Sequence, residues 1–264
     1  RHRSAGRRLR RIRCTGGLYV LNALSLFSGI GGLDIAAEWA GFKTVAFCER
    51  DKFCKSVLAA RWPNTRIFDD VRTIDTAALP RIDIVFGGYP CQPFSQAGRK
   101  RAEADERHLW PAMRRVVQDL RPTWVVGENV KGHITRGLDG VIDDLEEDGY
   151  AWRAFSLPAL AVAAPHFRER VFVVAHAKRL CDLPEIEREE ADRSDAERPA
   201  SGIGGPTWWA TEPGVGRVAD GVPRQMDRLR ALGNAVVPQQ AYPIFAAIAE
   251  TYNAEITGAD RRPG

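Results

Sequence analysis

The sequence predicts an α/β protein built on a doubly wound, mostly parallel sheet, and three observations predict it. Apolar runs alternate with helical segments from Leu21 to Ala175, the signature of βαβ units. The first run empties into a glycine-rich turn, Ser28-Gly29-Ile30-Gly31-Gly32, where a helix must begin. A later run, Ile82-Asp83-Ile84-Val85-Phe86, ends in Gly87-Gly88, as a buried strand does on entering a loop.

The elements follow in order. Ala23 to Phe27 reads as a strand and Gly31 to Trp39 as its helix; Thr44 to Cys48 and Lys52 to Arg61 repeat the pair, the second helix stopped by Trp62-Pro63-Asn64. Asp69-Asp70-Val71 closes a third candidate strand segment. After the strand Ile82 to Phe86 come a helix around Pro111 to Leu120, a strand Thr123 to Val126 and a helix from about Leu138 to Glu147. Two strands, near Trp152 to Leu157 and Arg170 to Ala175, complete the sheet. A last helix, Gln239 to Thr251, is expected to pack back on the first strand, with Pro243 marking a break after one turn.

Composition narrows the class. With 264 residues, 44% hydrophobic and 27% charged, the chain suffices for one large domain with a small appendage. No stretch approaches a membrane span, and the arginine-rich start, Arg1 to Arg13, has no apolar core of a signal peptide behind it, so a cytoplasmic protein is expected. Five cysteines without a Cys-x-x-Cys pair suggest neither a disulfide framework nor a metal site. The net charge of +4 resides in that arginine-rich start, which is either a disordered tail or an extended reading of the gene start. Asp182 to Arg198 holds eight acidic and three basic residues with almost no apolar ones, the composition of a solvated insertion.

Chemistry concentrates at strand ends. The loop Phe27-Ser28-Gly29-Ile30-Gly31-Gly32-Leu33 lets backbone approach a ligand. Glu49 ends the next strand, where a carboxylate can accept from both hydroxyls of a ribose, and Asp70 follows, placed to accept from an adenine amino group. Cys91 sits between Pro90 and Pro93, in a turn that the prolines stiffen. Taken alone, Cys91 reads as either a buried structural cysteine or a reactive thiol.

These motifs, together with Gly127-Glu128-Asn129-Val130 after the strand Thr123 to Val126, Arg168-Glu169-Arg170-Val171-Phe172 and Gly233-Asn234-Ala235-Val236-Val237-Pro238, resemble the ordered motifs of the cytosine-C5 DNA methyltransferases over roughly Leu21 to Glu250. The resemblance implies a Rossmann-like, S-adenosylmethionine-dependent fold with a small, mostly irregular target-recognition region. It implies a catalytic set of Cys91 as nucleophile, Glu128 as acid, Arg168 on the cytosine carbonyl and Arg170 orienting the pocket. Alternation along a strand would turn both arginines to one face. The implied cofactor contacts are Phe27, Ser28, Gly29, Ile30, Gly31, Gly32, Leu33, Glu49, Asp70, Val71, Gly87, Pro90, Asn234, Ala235 and Val236, with Asn234 at the methionine end. The implied partner is double-stranded DNA, from which the target base is flipped. Ser95, Gln96 and Arg99 fall in a segment with the composition of a flexible loop that could close over DNA, and Arg217 and Arg224 are further candidate contacts. Trp208 and Trp209 are DNA contacts or core.

The implied organisation is a basic leader over 1–20, a catalytic core over 21–176, a charged insertion with a small recognition region over 177–230, a returning segment over 231–252 and a tail over 253–264. One departure stands out: the family usually has Gln two residues before the first arginine of its later motif, and this chain has His166. The expected protein is a monomeric enzyme of a bacterial or phage restriction-modification system, with a possible cognate endonuclease, or a solitary enzyme. The alternatives are a tRNA cytosine-C5 methyltransferase, whose Cys-Phe-Thr signature is missing here, and a non-catalytic DNA-binding relative.

Overall fold

Alternation along each central strand sends neighbouring side chains into two different cores. On β1 (Leu21–Leu26), Leu21 and Ala23 face one cluster while Leu24 and Leu26 face the other. On β4 (Ile84–Gly87), Ile84 and Phe86 share the first cluster and Val85 the second. Both faces of the sheet are therefore covered, which parallel strands require. The computed structural model describes residues 20–90, 109–135, 137–177 and 225–257. The expected leader, the acidic insertion and the extreme tail lie outside them.

Among the described residues, one seven-stranded sheet runs β3-β2-β1-β4-β5-β7-β6. Its strands are β1, β2 (Phe42–Cys48), β3 (Arg66–Phe68), β4, β5 (Trp124–Val130), β6 (Tyr150–Pro158) and β7 (Glu169–Ala177). The first five pair in parallel; β7 inserts antiparallel between β5 and β6. Helices α1 (Gly32–Trp39) and α6 (Pro238–Thr257) cover one face through Leu33, Ala36, Ala37, Ala241, Phe245 and Ile248. Helices α3 (Trp110–Leu120) and α4 (Leu138–Glu147) cover the other through Trp110, Met113, Val116, Leu138, Val141 and Leu145. No helix among the described residues is long and apolar enough to cross a membrane.

Helix α2 (Lys52–Arg61) begins where its cap dictates: the Asp51 carboxylate accepts the Cys54 N–H at 2.9 Å. Two sequence expectations are corrected. Glu128 and Asn129 lie within β5 rather than after it, because β7 pairs with that strand as far as Val130, opposite Arg170. Pro243 does not break the last helix, which runs unbroken through it. Burial of Phe245, Ile248 and Tyr252 outweighs one missing backbone bond. Helix α5 (Gln225–Asn234) straddles the point where the sequence suggested a division, residue 230.

Candidate functional site

The carboxyl ends of β1, β2, β4 and β5 open on one cavity of about 360 Å³, the place where parallel α/β sheets keep their ligands. Its floor is the loop after β1. Ser28 N–H donates to Cys48 O at 3.2 Å, and Gly31 N–H to Ser28 O at 2.9 Å. Phe27, at φ 52°, and Gly29, at φ 56°, hold left-handed backbone to make the turn; for phenylalanine that conformation is strained. Glu49 locks this loop to the next strand end: its Oε2 accepts the Gly29 N–H and its Oε1 the Asp51 N–H, both at 2.7 Å. Each oxygen keeps a lone pair for a ligand.

Phe27, Ser28, Gly29, Ile30, Gly32, Leu33, Glu49, Asp70, Val71, Pro90, Asn234, Ala235 and Val236, all singled out from the sequence, line this cavity together with Glu128. Gly31 and Gly87 do not. A side chain on Gly31 would strike the Trp62 ring at 2.6 Å, and one on Gly87 would strike Leu26 O at 2.2 Å. Both are glycines because neighbouring elements pack on them. Asp70 reaches the cavity already engaged, since Arg72 binds its carboxylate through its backbone N–H at 2.9 Å, Nε at 3.0 and 3.1 Å and Nη2 at 2.6 Å. These bonds hold the Asp70 carboxyl below the usual carboxylate range. Cys48 and Cys54 also line the cavity. Burial pushes both thiols up to about 12, so neither is a nucleophile near neutral pH.

At the far wall Glu128 is 7% exposed. Burial raises its pKa to about 7, against the opposing pull of Arg170 and Arg168. Arg170 Nε lies 2.8 Å from Glu128 Oε1. Oε2 lies over Gly88, 2.7 Å from where a Cβ would stand, so position 88 admits no side chain without displacing the carboxyl. Arg168 precedes β7 rather than lying on it. Its Nε and Nη2 are buried with no partner among the described residues, and burial lowers its pKa. Neither Arg168 nor Arg170 is among the residues lining the cavity; Arg168 is near enough to lower the Glu128 pKa, and its unpaired guanidinium nitrogens suit a group that presents a carbonyl oxygen.

Cys91 lies outside the described residues, as do Ser95, Gln96, Arg99, Trp208, Trp209, Arg217 and Arg224. The structure does describe the residues leading to Cys91. Asn129 Nδ2 donates to Tyr89 O at 2.9 Å, and the Tyr89 hydroxyl shares a 2.8 Å hydrogen bond with His133 Nε2. The tyrosine ring packs on Trp110 at 5.1 Å. Asn129 therefore ties the chain entering the cysteine turn to the strand that carries Glu128. Sequence reasoning quoted Asn129 within its motif and gave it no role. It also missed Asp227 and Arg230, which line the cavity from α5. His166 is exposed.

Residues 21–202 match the model of the family described as C-5 cytosine-specific DNA methylase. The chain is 36% identical to the Type II methyltransferase M.FnuDI of Fusobacterium nucleatum, over 61% of this chain and 48% of that protein. It is 35% identical to the Type II methyltransferase M.AquIA of Picosynechococcus sp., over 58% of this chain and 71% of that protein. In three dimensions it is similar to a DNMT2 mutant from Spodoptera frugiperda, with a TM-score of 0.55 and 25% identity over 64% of this chain and 54% of that one. The chain thus spans about half the length of the first of these relatives.

Proposed function

Because the chain belongs to the C-5 cytosine-specific DNA methylase family, we propose that it transfers a methyl group from S-adenosylmethionine to C5 of a cytosine flipped out of duplex DNA. The observation that carries this reading is one cavity joining the glycine loop and Glu49 to Glu128, an acid with a pKa of about 7.

The lining residues fit the cofactor. Phe27, Ile30, Leu33, Val71 and Val236 offer an apolar wall, and Glu49 and Asp70 offer carboxylates at successive strand ends. Glu49 would take the ribose hydroxyls, Asp70 the adenine amino group through its remaining lone pairs, and Asn234 the methionine end. When bound, S-adenosylmethionine supplies a methyl group on a sulfonium that needs no further activation.

The chain's own residues do the rest. The Cys91 thiolate forms a bond to C6 of the cytosine. Charge moving toward N3 is met by the proton of Glu128. Arg170 holds Oε1, so Oε2 carries that proton. Arg168 donates its unpaired N–H groups to the base carbonyl. C5, now electron-rich, would take the methyl group as its bond to the sulfonium breaks, the pair staying on the sulfur of the departing S-adenosylhomocysteine. Loss of the C5 proton to a base then breaks the S–C6 bond; the pair returns to Cys91 sulfur and the N3 proton to Glu128.

Purified protein incubated with tritiated S-adenosylmethionine should label duplex DNA, and a 5-fluorocytosine duplex should become covalently attached in the presence of cofactor, because fluorine blocks the last elimination. Cys91→Ser should abolish transfer and leave cofactor binding intact. Label appearing only in tRNA, or in no nucleic acid, would overturn the proposal. The Type II names of the relatives favour a restriction-modification role with a cognate endonuclease, and we take the enzyme to act as a monomer.

A further inference from the structure

Gln240, near the start of α6, is completely buried. Its Nε2 donates to the carbonyl oxygens of Leu157 and of Arg168, the latter at 2.9 Å. Arg168 O also accepts the Ala159 N–H at 2.9 Å. Leu157 lies at the end of β6 and Arg168 immediately before β7, so this amide clamps both sides of the connection between the two strands at its base. The other half of the amide, Oε1, is buried with no partner among the described residues. A half-paired amide in a core carries a desolvation cost, and a leucine or methionine would fill similar space without it. What Gln240 offers that they lack is its donor.

On its other side Gln240 is tied to the segment Asn234 to Val236, which lines the cavity. Its backbone N–H donates to Val237 O at 2.9 Å. The adjacent Val236 carbonyl lies so close to Gly32 that a Cβ there would stand 2.6 Å away. A short path of close packing and hydrogen bonds therefore runs from the glycine loop, past Val236, through Gln240 to the backbone of Arg168. That backbone matters because the Nε and Nη2 of Arg168 have no partner among the described residues to aim them. The position of the chain must do so.

We propose that Gln240 is a positioning residue for methyl transfer, which fixes Arg168 against the cofactor wall so that its guanidinium meets the cytosine. The inference rests on the reading that Arg168 contacts the base. Displacing such a group by about 1 Å costs on the order of a hundredfold in rate.

The test uses the full chain, with single-turnover methylation of duplex DNA, affinity for S-adenosylhomocysteine and thermal melting measured side by side. Gln240→Leu should slow transfer about tenfold to a hundredfold while affinity for S-adenosylhomocysteine stays within about threefold. Gln240→His, which keeps a donor, should recover most of the rate. In an Arg168→Ala background Gln240→Leu should cost less than about twofold, because its effect passes through Arg168. An undiminished rate in Gln240→Leu, an equal further loss in the Arg168→Ala background, or a variant that no longer melts cooperatively would each overturn the positioning role. A wild-type chain that binds S-adenosylhomocysteine and methylates no DNA removes the parent reading; an active wild type with an indifferent Gln240→Leu removes this proposal alone.

Discussion

Two carboxyls in this molecule, Asp34 beneath the glycine loop and Glu128 at the end of β5, are both buried and both raised by burial to a pKa of about 7. Their surroundings differ in kind. Asp34 accepts from the Ser25 hydroxyl at 3.0 Å and the Thr44 hydroxyl at 3.1 Å, neutral donors that satisfy it wholly within the fold. Glu128 faces a cavity, with one oxygen on Arg170 and the other over a glycine. A raised pKa alone therefore marks no catalytic acid; an oxygen that faces the cavity and a charged partner that orients it are what set Glu128 apart as the proposed one.

Exchanging each acid for its amide is the sharpest way to break this comparison. Glu128→Gln should lower single-turnover methyl transfer by about 10²–10⁴-fold with S-adenosylhomocysteine binding retained; a loss below tenfold would put Glu128 on a level with Asp34. Gly88→Ala should come next. Its Cβ would stand 2.7 Å from Oε2, and displacing the carboxyl should cost about ten- to a hundredfold, again without weakening the cofactor. Arg170→Gln removes the charge that holds the Glu128 pKa down. The alkaline limb of the rate profile, where Glu128 loses its proton, should move to higher pH by about one unit while the maximal rate falls. A limb that stays in place would show that another group sets it.

Asp34→Asn should have the smallest effect on rate, less than about threefold, and should appear in stability instead. An acid whose folded pKa exceeds its unfolded value binds more protons in the folded state. The stabilisation from Asp34 is thus full below about pH 4 and lost as pH rises toward 7. The shift from 3.8 to about 7 corresponds to at most about 4 kcal/mol. Denaturant unfolding at pH 5 and pH 8 should show a smaller loss for Asp34→Asn than for wild type. The slope that persists belongs in part to Glu128, which acts in the same direction. Equal slopes would mean that Asp34 is ionised throughout.

Local chemistry was the legible part of this chain. Trp62-Pro63-Asn64 ends α2 in sequence as it does in space. The strand-end acids were legible because parallel sheets place residues there by rule. What escaped depends on contacts distant in sequence. The extension of β5 through Glu128 exists only because β7 pairs with it. Asp34 reads as an ordinary acid in the first turn of a helix, and Ser25 and Thr44, which enclose it, lie on two different strands. Nothing in the sequence around Gln240 marks it as buried, yet its side chain is bonded to the β6–β7 connection, more than 70 residues earlier. Pro243 misled for the same reason, since the apolar contacts that keep α6 whole come from across the sheet.

The reversed strand also bears on how the molecule assembles. β6 and β7 form a hairpin closed by a short connection, with Pro158 opposite Glu169, whereas β1 and β4 meet only after a far longer crossover. Hairpins of this kind form early and locally, and parallel pairings form late. Arg170 and Glu128 lie on opposite sides of the β5–β7 seam, and the ion pair between them requires that seam to be closed. Opening of that single seam, readable as amide hydrogen exchange along β7, should extinguish activity while the β1–β4 half of the sheet stays protected.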